Sequence, residues 1–227
     1  MNFSFQTTMH MIMRSRFSVA AVFATALMLL TATGCKDSST EPNKDPLSSA
    51  AYVSFNNATH GLWADHMQWT YSTVDAFFNN PPAVQAQLQR LLQNQHDIGM
   101  AIVPYYGQDA GDSLAALLTT HINQAVPVLQ AAQSNDTAAL NKALDDWYKN
   151  ANDIAVFLSS ANPDHWMMMD MEHMLKHHIE TTTVYAVDLL KKDYPSAIAH
   201  YDEAYTHMME LAEQLSQGIA LQFPGKF

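Results

Sequence analysis

The chain has 227 residues, and its 22 acidic side chains outnumber the 11 basic ones, which gives a formal net charge of −11 with histidines neutral. Such an acidic chain repels phosphates, which argues against nucleic acid as a partner. The sequence contains no Gly-rich phosphate loop and no nucleophile elbow, so we expect neither nucleotide binding nor phosphoryl transfer.

The first 34 residues predict a lipoprotein signal peptide. Arg14 and Arg16 supply a positive start, and the apolar run 17–30 that follows is too short to span a bilayer comfortably. Small residues at 32–34 then lead into Cys35, a pattern that resembles a bacterial lipobox. An ordinary secretory signal followed by a chance cysteine is the alternative interpretation.

Cys35 is the only cysteine, and we expect it to carry the lipid anchor, palmitate included, that holds the protein at a membrane. Its acylation would leave no free thiol, so metal ligands would have to come from other residue types. Lys36 after the cysteine predicts sorting to the outer membrane, which places the protein in the cell envelope on the periplasmic face. Residues 35–49 are polar and rich in Pro and Ser, which predicts a flexible tether to one domain at 50–227.

Six helical segments are predicted in that domain, separated by Pro, Gly, Asn and Asp residues that stop or cap helices. The segments cover about 58–79, 83–103 with an interruption considered near Asn94, 113–133 after a cap at Asp112 or Ser113, 137–160, a fifth that opens at 162–164 and reaches 193, and 196–223. Their connections are short, so consecutive helices should pack antiparallel. The predicted fold is an all-α, antiparallel up-and-down bundle of about six helices.

Three of the 11 histidines fall in the middle of apolar helical stripes. The stripes are Leu62, His66, Trp69, Thr73, Ala76 and Phe77 in the first segment; Leu114, Leu117, Leu118, His121, Ala125, Val128 and Leu129 in the third; and Met167, Met171, Met174, His178, Tyr185 and Leu189 in the fifth. Each histidine lies near the midpoint of its helix, so side-by-side packing would bring the three rings to one level. Three converging imidazoles predict a metal site with a fourth position for a carboxylate, methionine, water or ligand. A lone histidine on an apolar face is more often a hydrogen-bonded core residue.

Several other side chains are weaker candidates for the same chemistry. Asp97 and Asp153 are candidates for a metal ligand or for orienting an imidazole, although a cap or a solvated face suits each of them as well. His173 and His177 are four residues apart and could chelate an ion on another face of the fifth segment. Met171 and Met174 would suit copper, but they also fit the core stripe. His200 and His207 fall on the polar side of the sixth segment, which predicts that they are solvated.

Phrases along nearly the whole domain resemble a family of uncharacterised bacterial helical-bundle proteins found mainly in Bacillus-type genomes. They include Leu62-Trp63, Asp65-His66, Arg90-Leu91-Leu92, Tyr106-Gly107, Leu118-Thr119-Thr120-His121, Trp147-Tyr148, Asp153-Ile154-Ala155, Asn162-Pro163, Met174-Leu175, Tyr201-Asp202, Gly218-Ile219 and Gln222-Phe223-Pro224. The resemblance implies counterparts of His66, Asp97, His121, Asp153 and His178, and none of His173, His177 or His207. Members often carry the labels glycosyltransferase or acetylglutamate kinase, which the residues here do not support.

The leading functional prediction is a membrane-tethered bundle outside the cytoplasm that binds Cu, Zn or Fe through its core histidines. The alternative is a non-enzymatic structural or adaptor lipoprotein whose core histidines only form hydrogen bonds. A metal-dependent enzyme would need a cleft that reaches the three histidines, and the sequence favours a binder over an enzyme. Haem held without covalent attachment by two axial ligands also fits a helical bundle. The sequence indicates no particular protein partner.

Overall fold

The computed structural model describes residues 45–227, so the predicted signal peptide, Cys35 and residues 36–44 of the predicted tether lie outside the described residues. Six α-helices follow one another: α1 (Ala50–Asn79), α2 (Val84–Tyr106), α3 (Gln108–Ser134), α4 (Thr137–Ala161), α5 (Met168–Lys191) and α6 (Tyr194–Gln222). Short 3₁₀ turns at Pro46–Ser48, Pro81–Ala83 and Pro224–Lys226 complete the secondary structure. The described part of the chain contains no β-strand, which confirms the predicted all-α class and helix number.

Each helix packs against the helices before and after it in sequence, and α6 packs back against α1, so the bundle closes into a ring. Because the connections are short, the odd-numbered helices run one way and the even-numbered helices the other. The odd-numbered helices α1, α3 and α5 also contact one another, which makes them the inner side of the ring. None of the helices formed by residues 45–227 has the length and apolarity needed to cross a membrane.

Helix α1 begins at Ala50, eight residues before the predicted start near residue 58. Ser49 caps it, since the Ser49 hydroxyl accepts a hydrogen bond from the Tyr52 backbone N–H at 2.9 Å. The extra turns are held by Tyr52, which is buried and whose hydroxyl donates to Glu213 of α6 at 3.0 Å. This tertiary contact explains why local sequence did not reveal the true start.

Helices α2 and α3 meet at Gly107, which adopts a positive φ of 85° and reverses the chain within one residue. Helix α3 therefore begins at Gln108, and the predicted caps Asp112 and Ser113 lie inside the helix. The interruption considered near Asn94 is absent from the described α2, which runs unbroken through that residue. Asn94 is instead fully buried and donates its amide to the Leu62 carbonyl of α1 at 2.9 Å.

Helix α5 begins at Met168, later than the predicted opening at 162–164. The connection before it packs on α6, since Asn162 donates to the Gly218 carbonyl at 2.9 Å and the buried Trp166 indole donates to the Gln214 carbonyl at 3.2 Å. Met167, predicted on the core stripe, precedes the helix and is 57% exposed. The prediction was wrong for Met167 because helical periodicity does not apply outside the helix.

Candidate functional site

The three predicted histidines meet in the middle of the bundle. His66 comes from α1, His121 from α3 and His178 from α5, the three helices on the inner side of the ring. The His178 ring centroid lies 5.6 Å from that of His66 and 5.9 Å from that of His121. We call these three residues the core histidine cluster. Its members converge because each lies near the midpoint of its helix, as the stripes predicted.

The core histidine cluster is almost completely shielded from solvent, with exposures of 2–3% for the three residues. Indole rings cover two of its members: Trp63 lies 5.6 Å from His66, and Trp147 lies 5.1 Å from His121, measured between ring centroids. All three histidines line one internal cavity of about 80 Å³. The rest of its lining is apolar except for four threonines. A cavity therefore reaches the histidines, but their near-complete burial does not show the open cleft that an enzyme would require.

The ring of His121 is oriented by Asn150 of α4. The Asn150 amide nitrogen donates to the Leu117 carbonyl at 3.2 Å, which turns its oxygen toward His121 Nδ1 at 2.9 Å. A carbonyl oxygen only accepts, so neutral His121 carries its proton on Nδ1. Its Nε2 is then a lone pair that is buried without a hydrogen-bond partner. An imidazole held by an outer hydrogen bond with its second nitrogen free is typical of a metal ligand.

His66 and His178 are held differently. The Gln95 amide nitrogen approaches His66 Nδ1 at 3.3 Å and also donates to the Leu91 carbonyl at 2.8 Å. The contact makes Nδ1 the acceptor, so the proton of neutral His66 is on Nε2. Gln95 Oε1 is buried without a partner, and so is Nδ1 of His178. A buried polar atom without a partner costs about 1–3 kcal/mol, and three such atoms lie in or beside the core histidine cluster.

Burial keeps the cluster uncharged. It lowers the pKa of His66 to about 3, with the neighbouring His121 lowering it further, and lowers the pKa of His121 to about 4. The pKa of His178 falls well below its ordinary value through burial and then through the adjacent imidazoles. All three rings are therefore neutral at neutral pH. Neutral imidazole is the form that binds metals.

The three rings are not positioned to hold an ion without adjustment. Within residues 45–227, no group of three or more His, Cys, Asp or Glu side chains is arranged to hold a metal ion. The predicted carboxylates do not join the cluster either. Asp97 accepts a hydrogen bond from Gln93 at 2.9 Å on the outside of α2, and Asp153 pairs with Lys149 at 2.8 Å on the outside of α4. Their alternative role as solvated side chains fits the structure better than a place beside the imidazoles.

A second group of histidines lies on the outer side of α5 and α6. His173 is exposed and His177 is half-buried, and their ring centroids are 6.3 Å apart. His207 lies 4.5 Å from His177 and is only 7% exposed, so the prediction that it is solvated was wrong. The sequence feature that could have predicted this burial is the helical spacing of His207 from Ala204 and Leu211, which places all three on one face of α6.

The two methionines that were predicted as weaker metal candidates belong to the hydrophobic core. Met171 is 1% exposed and Met174 is 8% exposed, and both pack among the apolar residues that hold α5 in the ring. Neither methionine lines the cavity that reaches the core histidine cluster. This placement favours the core-packing interpretation of the methionine stripe over a copper site.

The fold and the cluster together define an all-α bundle with a buried set of neutral imidazoles around an apolar cavity. No known protein family, curated protein or solved structure matches this chain. The resemblance to the Bacillus-type family therefore stays a prediction.

Proposed function

We propose that this protein binds one transition-metal ion through the core histidine cluster. The observation that carries the proposal is the convergence of three buried, neutral imidazoles on one cavity, with His121 Nε2 and His178 Nδ1 both without partners. Coordination would supply the partners that these nitrogens lack. A structural cluster of the same residues gains nothing from leaving them unpaired.

The spacing of the rings is close to what a shared ion requires. Imidazoles that bind one tetrahedral ion with nitrogen–metal bonds of about 2 Å have ring centroids roughly 5 Å apart. The centroids of His178 and its two neighbours are 5.6 and 5.9 Å apart. For these two pairs of rings, closing on an ion needs side-chain rotation and small shifts.

Metal binding would change which ring nitrogen of His66 carries the proton. Coordination through its Nε2 requires the proton to move to Nδ1, which then needs an acceptor. The unpartnered Oε1 of Gln95 would serve as that acceptor if the amide turned.

An ion bound to all three rings would keep one coordination position facing the cavity. About 10–15 Å³ of space there is enough for a water molecule. Cu, Zn and Fe all accept this set of imidazoles.

The experiment is metal analysis of the tag-free protein after chelator treatment and reloading with each ion in turn. The informative variant is His178→Phe, because its Nδ1 has no partner to lose. We expect one ion fewer per chain, or an affinity at least roughly 10-fold lower, in the variant. His96→Gln serves as the matched control, since His96 is exposed on α2. Binding that is equal in wild type, control and His178→Phe would overturn the proposal.

A structural or adaptor protein is the second candidate function. Two of the three rings already have side-chain contacts, His121 with Asn150 and His66 with Gln95, as a purely hydrogen-bonded core would require. That candidate predicts a thermal midpoint that is indifferent to chelator and to added metal. A bound ion present at 100 times its Kd would instead stabilise the fold by about 2.7 kcal/mol.

We further propose that a lipid on Cys35 tethers the bundle to the periplasmic face of the outer membrane. The support is the sequence alone: the apolar run at 17–30, the small residues before the cysteine, and Lys36. Labelled palmitate should be incorporated into wild type and not into Cys35→Ser. Equal labelling of both proteins, or the absence of label from the wild type, would refute the anchor.

A further inference from the structure

A second cluster of imidazoles lies at the surface between α5 and α6, separate from the core histidine cluster. We infer that His173, His177 and His207 bind a divalent transition-metal ion such as Zn²⁺ at the surface once their side chains turn to close on it. The inference does not depend on the proposed function of the core. It stands on the ring positions, on the bonding of His207 and on the carboxylates nearby.

His207 is held as a metal ligand would be. Its Nε2 donates to the Met174 backbone carbonyl of α5 at 2.8 Å, and a carbonyl can only accept. The proton of neutral His207 is therefore on Nε2, and Nδ1 is left with its lone pair. Burial lowers the pKa of His207, so the ring is neutral at neutral pH. A backbone carbonyl that fixes the tautomer of an imidazole is the outer contact seen in most histidine metal sites.

His173 and His177 supply the other two ligands. They are four residues apart on α5, the spacing at which two histidines on one helix face bind the same ion. The ring centroids of His177 and His207 are 4.5 Å apart, and those of His177 and His173 are 6.3 Å apart. His173 is exposed and His177 is half-buried, so both side chains have room to change rotamer and bring their rings onto one ion.

The charges around these rings favour a cation. Glu180 approaches His177 Nδ1 at 3.4 Å, and an open groove along α6 that includes His207 is also lined by Glu210, Asp202 and Glu203. The nearest base on α5, Lys176, already pairs with Glu172 at 2.6 Å. Three imidazoles beside an acidic surface suit a divalent ion and its remaining water ligands.

The test is a calorimetric titration of the tag-free protein with Zn²⁺. We expect His173→Gln/His177→Gln to bind one ion fewer than wild type, whether the core site binds zinc or not. His96→Gln/His165→Gln also removes two exposed imidazoles but should bind as many ions as wild type. Equal stoichiometry in wild type and His173→Gln/His177→Gln, or an equal loss in the control, would overturn the site.

The contribution of His207 has its own readout. His207→Gln should keep the ion but weaken its affinity by roughly 10-fold or more, because one ligand is lost. The thermal midpoint of zinc-free His207→Gln, compared with that of wild type, shows whether the fold is kept. An affinity equal to that of wild type would contradict the assignment of His207 as a ligand.

Discussion

Replacing His178 with phenylalanine should stabilise the metal-free protein. Nδ1 of His178 is buried without a partner, and such an atom costs about 1–3 kcal/mol. Phenylalanine keeps a planar ring and carries no polar atom. The larger ring would cost about 1–3 kcal/mol in a tightly packed core, but His178 borders the cavity of about 80 Å³, which gives the ring room.

The net expectation for His178→Phe is a gain of about 1 kcal/mol or more in the free energy of unfolding. For a domain of this size, 1 kcal/mol shifts the midpoint of thermal unfolding by about 2–4 °C. The same substitution should reduce the stabilisation that added metal confers on the wild type, by the part that depends on the core histidine cluster. If His178→Phe is more stable than wild type without metal and less stable with it, His178 is a residue kept for function at the expense of stability.

His121→Phe provides the matched comparison. This substitution also removes an unpartnered nitrogen, but it leaves the Asn150 carbonyl without its donor, so the two effects oppose each other. We expect His178→Phe to be more stable than His121→Phe by about 1–3 kcal/mol. Urea unfolding followed by circular dichroism, with chelator present, measures both. A His178→Phe protein as unstable as His121→Phe, or less stable than wild type, would refute the reasoning.

Three further predictions concern pH, packing and ligand orientation. The core histidine cluster has pKa values lowered from 6.5, to about 3 and about 4 in two members, so the folded chain binds fewer protons than the unfolded chain. Stability should therefore be complete above about pH 7 and fall by roughly 3 kcal/mol per unit between about pH 6 and 5, which urea unfolding at each pH measures. Gly218→Ala should destabilise by about 1–3 kcal/mol in urea unfolding, because the new Cβ would lie 2.1 Å from the Trp166 indole. Asn150→Ala should weaken metal affinity by about 10- to 100-fold in calorimetry, since the orienting contact to His121 is lost.

Each of these predictions has a contrary outcome. Stability that stays constant between about pH 6 and 5 would mean that the imidazoles are not held neutral. Gly61→Ala is the control for the packing prediction, since a Cβ there meets nothing within 4 Å and alanine is the better helix former. Equal stability of the two alanine variants would contradict the close contact. An Asn150→Ala protein with wild-type affinity would show that orientation of His121 is irrelevant to binding.

The fold class and most helix limits were predictable because they depend on local features. Asp136 caps α4 by accepting from the Ala139 N–H at 3.0 Å, and Asn135 takes a left-handed conformation before it, as expected of Asn and Asp residues that stop or cap helices. The start of α3 was predicted wrongly because the positive φ of Gly107 was not recognised as the turn, and the starts of α1 and α5 because contacts distant in sequence hold them. The Tyr52–Glu213 bond is one such contact, and it joins residues 161 positions apart.

The convergence of the core histidines was predictable because the midpoints of antiparallel helices fall at one level. Their partners were not, since Asn150 and Gln95 are polar residues without a recognisable pattern until α4 and α2 are in place. His207 was missed because the acidic residues Glu203 and Glu210 stand at the same helical spacing from it as the buried Ala204 and Leu211. The sequence also does not reveal the cavity, whose volume depends on how side chains from several helices fill the centre.

The most direct test of the central claim is a crystal structure of the metal-loaded protein with anomalous diffraction measured at the absorption edge of the ion. We predict a peak between the three rings of the core histidine cluster, with nitrogen–metal distances of about 2.0–2.1 Å. We also predict that the Gln95 amide will have turned so that its Oε1 accepts a hydrogen bond from His66 Nδ1. Fully loaded crystals without a peak among His66, His121 and His178 would contradict the proposed function.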